Sequence, residues 1–227
     1  MKTVLVTGAG RGIGLAVAKK FSSMGWNVLS LDKEFQATVI GERIKFDLRS
    51  LDKIPELIGR LGPIDTLVNN AAVLFCDAMD SIPQDHIQEI LEVNLLAPAR
   101  LIESVSLGMR SRGGGRIVSV GSVSAFTGHP DLWYGATKAA LLNLTKSYAS
   151  HLGRDNIFVN AVAPGPTLTT MYEQLPESRK ESVMRSVHSG RPCLPEEVAE
   201  TIFWLGAESP AYVSGTTVDV NGGSYPR

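Results

Sequence analysis

The chain has 227 residues, of which 44% are hydrophobic and 20% are charged, and its formal net charge is −1. This length and composition allow a substantial core and fit one α/β domain of the larger kind. The near-zero charge argues against a nucleic-acid partner, since binding a phosphate backbone requires a concentrated basic surface.

Short apolar runs alternate with amphipathic stretches, as they do when crossover helices join parallel strands. The segment 33–43 is too short for a full helix between two strands, so we expect an abbreviated sheet edge there. No repeat or linker divides the sequence, and the pattern predicts one doubly wound α/β domain over residues 1–227, with helices on both faces of the sheet. We expect about seven parallel strands, at Val4–Val6, Val28–Leu31, Ile44–Phe46, Thr66–Val68, Ile117–Val120, Phe158–Val162 and Thr217–Val220.

A glycine-rich turn, Thr7–Gly14, follows the first predicted strand and leads into a helix-forming run. Gly8, Gly12 and Gly14 permit a tight turn and a close approach of the backbone to a ligand. The helix after them presents free N–H groups and a positive dipole end, which suit a pyrophosphate. A turn that only packs a helix against a strand has the same pattern, so the motif is moderately specific.

Asp32 closes the second predicted strand, about 20 residues beyond the glycines, where an acidic side chain can accept hydrogen bonds from both adenosine ribose hydroxyls. The 2′-phosphate of NADP would be repelled by the negative charge of Asp32. Arg11 and Lys33 could pair with such a phosphate, but Asp32 would occupy the position of the hydroxyl itself. We therefore expect NAD as the cofactor and regard NADP as the alternative.

An amphipathic helix is predicted at His86–Leu96, with Asn94 inside it. Asparagine competes locally for backbone hydrogen bonds, and Pro98 lacks a donor four residues later. From these residues alone, Asn94 is either an irregularity of the helix or a functional residue.

Tyr134 and Lys138 lie four residues apart in a helix-forming run that follows a serine-bearing strand end at Ser122. Residues at i and i+4 share one helix face. An ammonium about 4 Å from a phenolate attracts it by roughly 4 kcal/mol at an effective dielectric near 20. At about 1.36 kcal/mol per pKa unit, this attraction would lower the pKa of Tyr134 toward neutrality, as general acid–base catalysis requires. Tyr and Lys also occur at this spacing on ordinary solvated helices. The pair therefore indicates a catalytic site only in combination with the other motifs of the chain.

These motifs in this order resemble the short-chain dehydrogenase/reductase family in its single-domain form, from about Lys2 to Gly223. The resemblance implies a Rossmann-type fold that binds NAD(P) and an oxidoreductase activity. The matching positions are Thr7–Gly14, Asp47, Leu48, Asn69–Ala72, Asn94, Ser122, Tyr134, Lys138, Asn160, Pro164 and Gly165.

The resemblance also implies a role for each site residue. Tyr134 is the catalytic acid/base, and Lys138 holds the nicotinamide ribose and lowers the pKa of Tyr134. Ser122 binds the reacting oxygen, and Asn94 holds a proton-relay water. Asp47 meets the adenine, and Asn69 and Ala71 line the cofactor cleft. The full set of implied cofactor contacts is Gly8, Arg11, Gly12, Ile13, Gly14, Asp32, Asp47, Leu48, Asn70, Ala71, Tyr134, Lys138, Pro164, Gly165, Thr167 and Thr169.

Two positions depart from the family pattern. Ser122 precedes Tyr134 by only twelve residues, which makes Ser124 a rival for the serine role. Thr167 stands where an aliphatic residue is common after the Pro164-Gly165 pair.

Several predicted site residues follow strand ends, and ligands of doubly wound sheets bind beyond the carboxyl ends of the strands. We therefore expect one cleft in which Tyr134 removes a hydroxyl proton while hydride passes to nicotinamide, or the reverse. The residues expected there are Gly8, Asp32, Asn70, Ser122 and Pro164.

The predicted substrate is a secondary alcohol or ketone with an apolar or ring-shaped body, because mostly apolar and aromatic residues would border it. These residues are Val73, Leu74, Phe75, Phe126, His129, Trp133 and a substrate lid at about 166–192. The alternatives are a 3-oxoacyl thioester reductase using NADP(H), a dehydrogenase of cyclic diols, and an NAD-binding sensor or scaffold without turnover.

The sequence lacks the motifs of serine hydrolases, metal-binding proteins and membrane proteins. No Gly-x-Ser-x-Gly elbow is present, and the four histidines are too scattered for a metal site. Cys76 and Cys193 predict a reduced, cytoplasmic setting without a structural disulfide. No apolar run is long enough to span a bilayer, and the chain starts directly on its first strand, so we expect no membrane partner.

The resemblance further implies a homotetramer, or at least a homodimer, in which the helices that carry Asn94 and Tyr134 lie at a subunit interface. Apolar positions on these helices would form the contact, namely Leu95, Leu96, Leu141 and Leu144.

Overall fold

The computed structural model describes residues 1–35 and 38–226, and within them seven strands form one parallel sheet. The order of the strands is β3-β2-β1-β4-β5-β6-β7. Their bounds are β1 (Thr3–Thr7), β2 (Asn27–Asp32), β3 (Glu42–Lys45), β4 (Thr66–Asn69), β5 (Gly115–Val120), β6 (Ile157–Pro164) and β7 (Thr217–Val220). Every neighbouring pair is parallel, so all strands end at the same edge of the sheet.

Helices connect the strands and cover both faces of the sheet. They are α1 (Gly12–Ser23), α2 (Ile54–Arg60), α3 (Gln84–Leu91), α4 (Ala97–Ser111), α5 (Ser124–Thr127), α6 (Leu132–Leu152), α7 (Thr170–Glu173), α8 (Glu177–Arg185) and α9 (Pro195–Phe203). Two π-helical turns, Glu92–Leu96 and Trp204–Glu208, follow α3 and α9 directly. None of the helices in the described part of the chain is long and apolar enough to cross a membrane.

Two apolar clusters form the core, one on each face of the sheet, because successive side chains of a strand point to opposite faces. Leu5 in β1 belongs to the cluster that contains Leu101 of α4 and Ile54 of α2. Its neighbours Val4 and Val6 belong to the other cluster. The helical members of that second cluster include Val17 and Phe21 from α1 and Val198 and Ile202 from α9. The predicted doubly wound sheet is thereby confirmed.

Each of the seven predicted runs overlaps an observed strand, although Phe46 lies just beyond β3. The expected abbreviated edge is present, since the described residues of the segment 33–43 contain no helix and β3 has four residues. One expectation about the surface was wrong. Leu141 is only 1% exposed and packs in the core, so it is not available for a subunit contact.

Two helical glycines differ in their surroundings. A Cβ on Gly14 would lie 2.1 Å from the carbonyl oxygen of Gly8, whereas Gly59 on α2 has nothing within 4 Å. We expect Gly14→Ala to lower the free energy of unfolding by about 2 kcal/mol, because the glycine turn must shift. Gly59→Ala, the matched control, should raise it by about 0.5 kcal/mol, since alanine is the better helix former. Urea denaturation measures both, and equal effects would contradict the packing described.

Candidate active site

A cleft of about 740 Å³ opens at the carboxyl ends of the strands. Loops that follow the strands β1 to β6 form its walls, together with the segment that contains α7 and α8. Of the predicted catalytic and cofactor-binding residues, those that line it are Gly8, Arg11, Gly12, Ile13, Asp32, Asp47, Leu48, Asn70, Ala71, Ser122, Tyr134, Lys138, Pro164, Gly165, Thr167 and Thr169. Asn69, Gly14 and Asn94 lie outside this lining.

The glycine turn is fastened to the end of β4. Thr7 Oγ1 donates to the carbonyl oxygen of Val68 and accepts from the backbone N–H groups of Asn70 and Ala71, at 3.0 and 3.1 Å. Asn70 Nδ2 donates to the carbonyl oxygen of Thr7 at 2.9 Å. Gly8 has a φ of +65°, and a Cβ there would lie 2.9 Å from the Ala71 Cα. Glycine is therefore required at this position both for conformation and for space.

The start of α1 can receive an anion. Its N-cap residue, Arg11, makes no side-chain capping hydrogen bond, and the first turn contains no acidic residue. The first N–H groups of a helix are free unless something caps them, and they lie at the positive end of the dipole. Arg11, Gly12 and Ile13 border the cleft, so this end of the helix fits a dinucleotide pyrophosphate. Gly14 contributes by packing closely on Gly8 and does not border the cleft.

The Asp32 carboxylate is fixed by backbone donors. Its Oδ2 accepts from Gly10 N at 2.9 Å and its Oδ1 accepts from Glu34 N at 3.2 Å. A Cβ on Gly10 would lie 2.9 Å from Asp32 Oδ2, so the glycine allows the turn to approach the carboxylate. We did not predict a role for Gly10, although its place within the Thr7–Gly14 turn was a signal for one.

Cations near Asp32 have acidic partners. Lys33 Nζ lies 3.7 Å from Glu89 Oε1, and Arg49 Nη1 lies 3.5 Å from Glu89 Oε2. Arg49 also forms an ion pair with Asp47 at 2.6 Å, and this hydrogen bond lowers the pKa of the Asp47 carboxyl. Asp47 therefore borders the cleft as an ionised, paired side chain.

Lys138 is buried next to Tyr134. It is 2% exposed, and its Nζ donates to the carbonyl oxygen of Val120 at 2.8 Å. The same Nζ lies 5.7 Å from the centroid of the Tyr134 ring. Burial lowers the pKa of Lys138 to about 8, because the charged form loses its hydration.

The pKa of Tyr134 is raised, and the expectation that Lys138 lowers it is wrong for this structure. Burial of the phenol is the main cause, since it disfavours the anion. A hydrogen bond with the Ser122 side chain opposes the rise, and the negative charge of Asp131 adds to it. Desolvation by the walls of the cleft outweighs the attraction expected from the ammonium. Tyr134 therefore carries its proton at neutral pH.

Of the two candidate serines, Ser122 has the better geometry. Its hydroxyl accepts from Ser124 N at 3.2 Å, borders the cleft beside Tyr134 and lowers the pKa of that phenol. Ser124 is 4% exposed, and its hydroxyl has no hydrogen-bond partner among the described residues. Ser122 is therefore placed to contact the same substrate oxygen as Tyr134.

Asn94 clamps a loop and does not point into the cleft. Its Nδ2 donates to Val73 O at 2.9 Å, and its Oδ1 accepts from Val73 N at 2.8 Å. It lies in the π-helical turn Glu92–Leu96, which explains the irregularity of the sequence pattern. Val73 borders the cleft, so Asn94 positions one of its walls. Its place in a proton relay stays a prediction. The Asn69 side chain is buried and was wrongly expected in the cofactor cleft.

The substrate end of the cleft combines predicted and unpredicted residues. Val73, Leu74, Phe75 and His129 border it as expected. Phe126 and Trp133 do not; Phe126 stacks on Tyr225 with a centroid separation of 5.6 Å.

The lid segment borders the same end. Thr169 caps α7 by accepting from Tyr172 N at 3.3 Å. Arg179, on α8, also borders the cleft and contacts Asp131 and His129. The sequence offered no local signal for this contact, because Asp131 lies 48 residues away along the chain.

Comparison with known proteins identifies the family. The model of the short chain dehydrogenase family matches residues 2–180. The chain belongs to this family. It is 32% identical over 237 residues to the 3-oxoacyl-[acyl-carrier-protein] reductase FabG of Haemophilus influenzae, covering 99% of this chain and 98% of the relative. It is 33% identical over 238 residues to the FabG of Thermotoga maritima, covering 98% and 97%.

Solved structures are similar over their whole length. A short chain dehydrogenase/reductase family protein matches with a TM-score of 0.90 and 31% identity, covering 99% of this chain and 97% of the other. The ligand-free aldohexose dehydrogenase of Thermoplasma acidophilum has a TM-score of 0.89 at 26% identity, covering 98% and 93%. ElxO with NADP bound has a TM-score of 0.89 at 25% identity, covering 98% of each chain. The protein is thus an NAD(P)-dependent oxidoreductase that acts on a CH–OH or keto group.

Proposed function

We propose that the protein transfers hydride between NAD(H) and a secondary alcohol or ketone with an apolar body, with Tyr134 as the acid/base. The observation that carries this proposal is that Ser122, Tyr134 and the buried Lys138 line one cleft, with Lys138 Nζ 5.7 Å from the centroid of the Tyr134 ring. Nicotinamide would supply the hydride chemistry. Ser122 and Tyr134 would bind the substrate oxygen, Tyr134 would move its proton, and Lys138 would stabilise the phenolate.

The roles follow from the protonation of the site. In the reducing direction, Tyr134 gives its phenolic proton to the carbonyl oxygen, and the raised pKa keeps that proton available at neutral pH. Ser122 donates a hydrogen bond to the oxygen as negative charge develops on it, an effect commonly worth about 3 kcal/mol. In the oxidising direction Tyr134 must first lose its proton, and Lys138 would then stabilise the phenolate.

The apolar wall of Val73, Leu74 and Phe75 supports a substrate with an apolar body. A 3-oxoacyl thioester reductase is the second candidate, because the relatives from Haemophilus influenzae and Thermotoga maritima carry that name. A cyclic diol dehydrogenase is a third candidate, supported only by the short segment between β2 and β3. A sensor or scaffold without turnover is disfavoured by the pairing of Ser122 with Tyr134.

NAD is the proposed cofactor because the Asp32 carboxylate is held in the cleft by two backbone donors. The cations Lys33 and Arg49 already face Glu89, which limits their attraction for a 2′-phosphate. NADP remains the competing choice, since it is the cofactor bound to ElxO.

We also propose that the chain works in the cytoplasm as a homotetramer or homodimer, with the segment at about 166–192 as a substrate lid. Leu96, Leu107 and Leu132 support an interface, being 44%, 66% and 48% exposed. Cys76 and Cys193 are both free thiols, which suits a reducing compartment. Light scattering of the purified chain should give at least twice the monomer mass of 24.4 kDa, and a monomer in dilute solution would contradict the assembly.

Asp32 provides the test of cofactor choice. Calorimetric titration should show tighter binding of NADH than of NADPH, by about tenfold or more, which corresponds to about 1.4 kcal/mol. Asp32→Asn keeps the size and removes the charge, so the two affinities should approach each other. Glu34→Gln changes a neighbouring exposed carboxylate outside the cleft and should leave the preference unchanged. Equal or tighter binding of NADPH by the parent protein would refute the choice of NAD.

Tyr134→Phe provides the test of catalysis. A panel of apolar ketones, secondary alcohols, cyclic diols and 3-oxoacyl thioesters, followed by nicotinamide absorbance, first supplies a substrate. Tyr134→Phe should then lower turnover at least about 100-fold, as expected for lost acid–base catalysis, with little change in NADH affinity. Lys138→Met should lower both the turnover and the affinity for NADH.

Tyr148→Phe is the matched control, because it makes the same change on the same helix, where the hydroxyl contacts Glu103 outside the cleft. It should leave turnover near the parent value. A Tyr134→Phe protein that keeps most of its turnover would remove Tyr134 from the proposed role.

A further inference from the structure

Arg179 connects the lid helix α8 to the residue at the N-terminal cap of α6, the helix that carries Tyr134. We propose that Arg179 is a positioning residue: its pairing with Asp131 latches α8 over the cleft and balances the Asp131 charge beside Tyr134. This inference rests on the proposed function, in which Tyr134 is the acid/base.

The contacts of Arg179 form a partly buried polar cluster. Its Nη2 donates to Asp131 Oδ2 and lies 3.1 Å from His129 Nε2. The side chains of Arg179 and Asp131 are 17% and 5% exposed. Removing Arg179 would leave the buried Asp131 carboxylate without this cation, which is more costly than losing a surface ion pair. The pair therefore stabilises one position of α8 against the body of the protein.

The helix α8 is otherwise held weakly. None of the residues Glu177–Arg185 is buried. In the described part of the chain, the side-chain hydrogen bonds that tie α8 to residues outside the lid come from Arg179. A helix with few buried apolar contacts belongs to the regions that open locally at low free-energy cost. Release of Arg179 is thus expected to free α8 without unfolding the domain.

The latch also affects the electrostatics of Tyr134. The groups that face the Tyr134 side chain are Ser122, Lys138, the His129 ring at a centroid distance of 5.3 Å, and the Asp131 charge. The Asp131 charge raises the pKa of Tyr134. Burial raises the pKa of Asp131, but hydrogen bonds with His129 and Arg179 outweigh it and hold that pKa below its usual value, and the Arg179 guanidinium offsets the negative field of the carboxylate. A released Arg179 would leave that charge unbalanced, so the phenol would be a weaker acid with the latch open.

Hydrogen exchange tests the latch without any substrate. Arg179→Met and Asp131→Asn should each increase amide exchange in 177–185 several-fold, and the double variant should add little to either, because both remove the same contact. Arg185→Met, an exposed arginine at the end of the same helix, is the matched control and should leave exchange unchanged. Additive effects, or an effect of Arg185→Met equal to that of Arg179→Met, would overturn the latch.

A tyrosinate titration tests the electrostatic part. The absorbance of tyrosinate between pH 8 and 12, after subtraction of the matching Tyr134→Phe protein, reports the pKa of Tyr134. Arg179→Met should raise this pKa and Asp131→Asn should lower it, with the parent between them and Arg179→Lys close to the parent. If the contact is only structural, both substitutions would shift the pKa of Tyr134 in the same direction, and that result would overturn the proposal.

The two proposals fail in different ways. If Tyr134→Phe keeps its turnover while the hydrogen-exchange and titration results are as expected, Tyr134 is not the acid/base but Arg179 still holds α8 in place. If Tyr134→Phe loses turnover while Arg179→Met and Asp131→Asn shift the Tyr134 pKa in the same direction, the proposal for Arg179 is refuted and the acid/base role of Tyr134 is kept.

Discussion

The junction between the ends of β1 and β4 is the constraint on which the cleft depends. Thr7 Oγ1 accepts from the backbone of Asn70 and Ala71, and the Asn70 side chain donates back to Thr7. The junction lies where the sheet order reverses, with β2 and β3 on one side and β4 to β7 on the other. Crossovers leave in opposite directions there, so a crevice opens for a dinucleotide. The glycine turn can approach that crevice because the junction holds it in place.

Burial then determines the protonation of the groups within the cleft. It lowers the pKa of Lys138 to about 8 and raises the pKa of Tyr134, because each loses hydration of its charged form. Hydrogen bonds offset part of this cost, from Lys138 to Val120 O and between Tyr134 and Ser122. The site therefore stores a proton on the phenol and holds a cation beside it, which suits proton transfer to a substrate oxygen.

Local signals in the sequence predicted much of the fold and part of the site. Strand runs, the Thr7–Gly14 turn, Asp32 and the spacing of Tyr134 and Lys138 all depend on neighbours along the chain. The hydrogen bonds of Asn94 to Val73 span 21 residues and leave no pattern in the sequence. The contact of Arg179 with Asp131 spans 48 residues. The raised pKa of Tyr134 comes from walls contributed by several distant loops, so no argument from its own helix could have given the direction.

A crystal structure of the protein with NADH would show directly whether one cofactor molecule spans the cleft from Asp32 to Tyr134. We expect the adenosine ribose to contact Asp32, the pyrophosphate to meet the N-terminus of α1, and the nicotinamide to lie beside Lys138 with C4 facing Tyr134 and Ser122. NADH bound outside this cleft, or a nicotinamide directed away from Tyr134, would show that these residues do not form the active site.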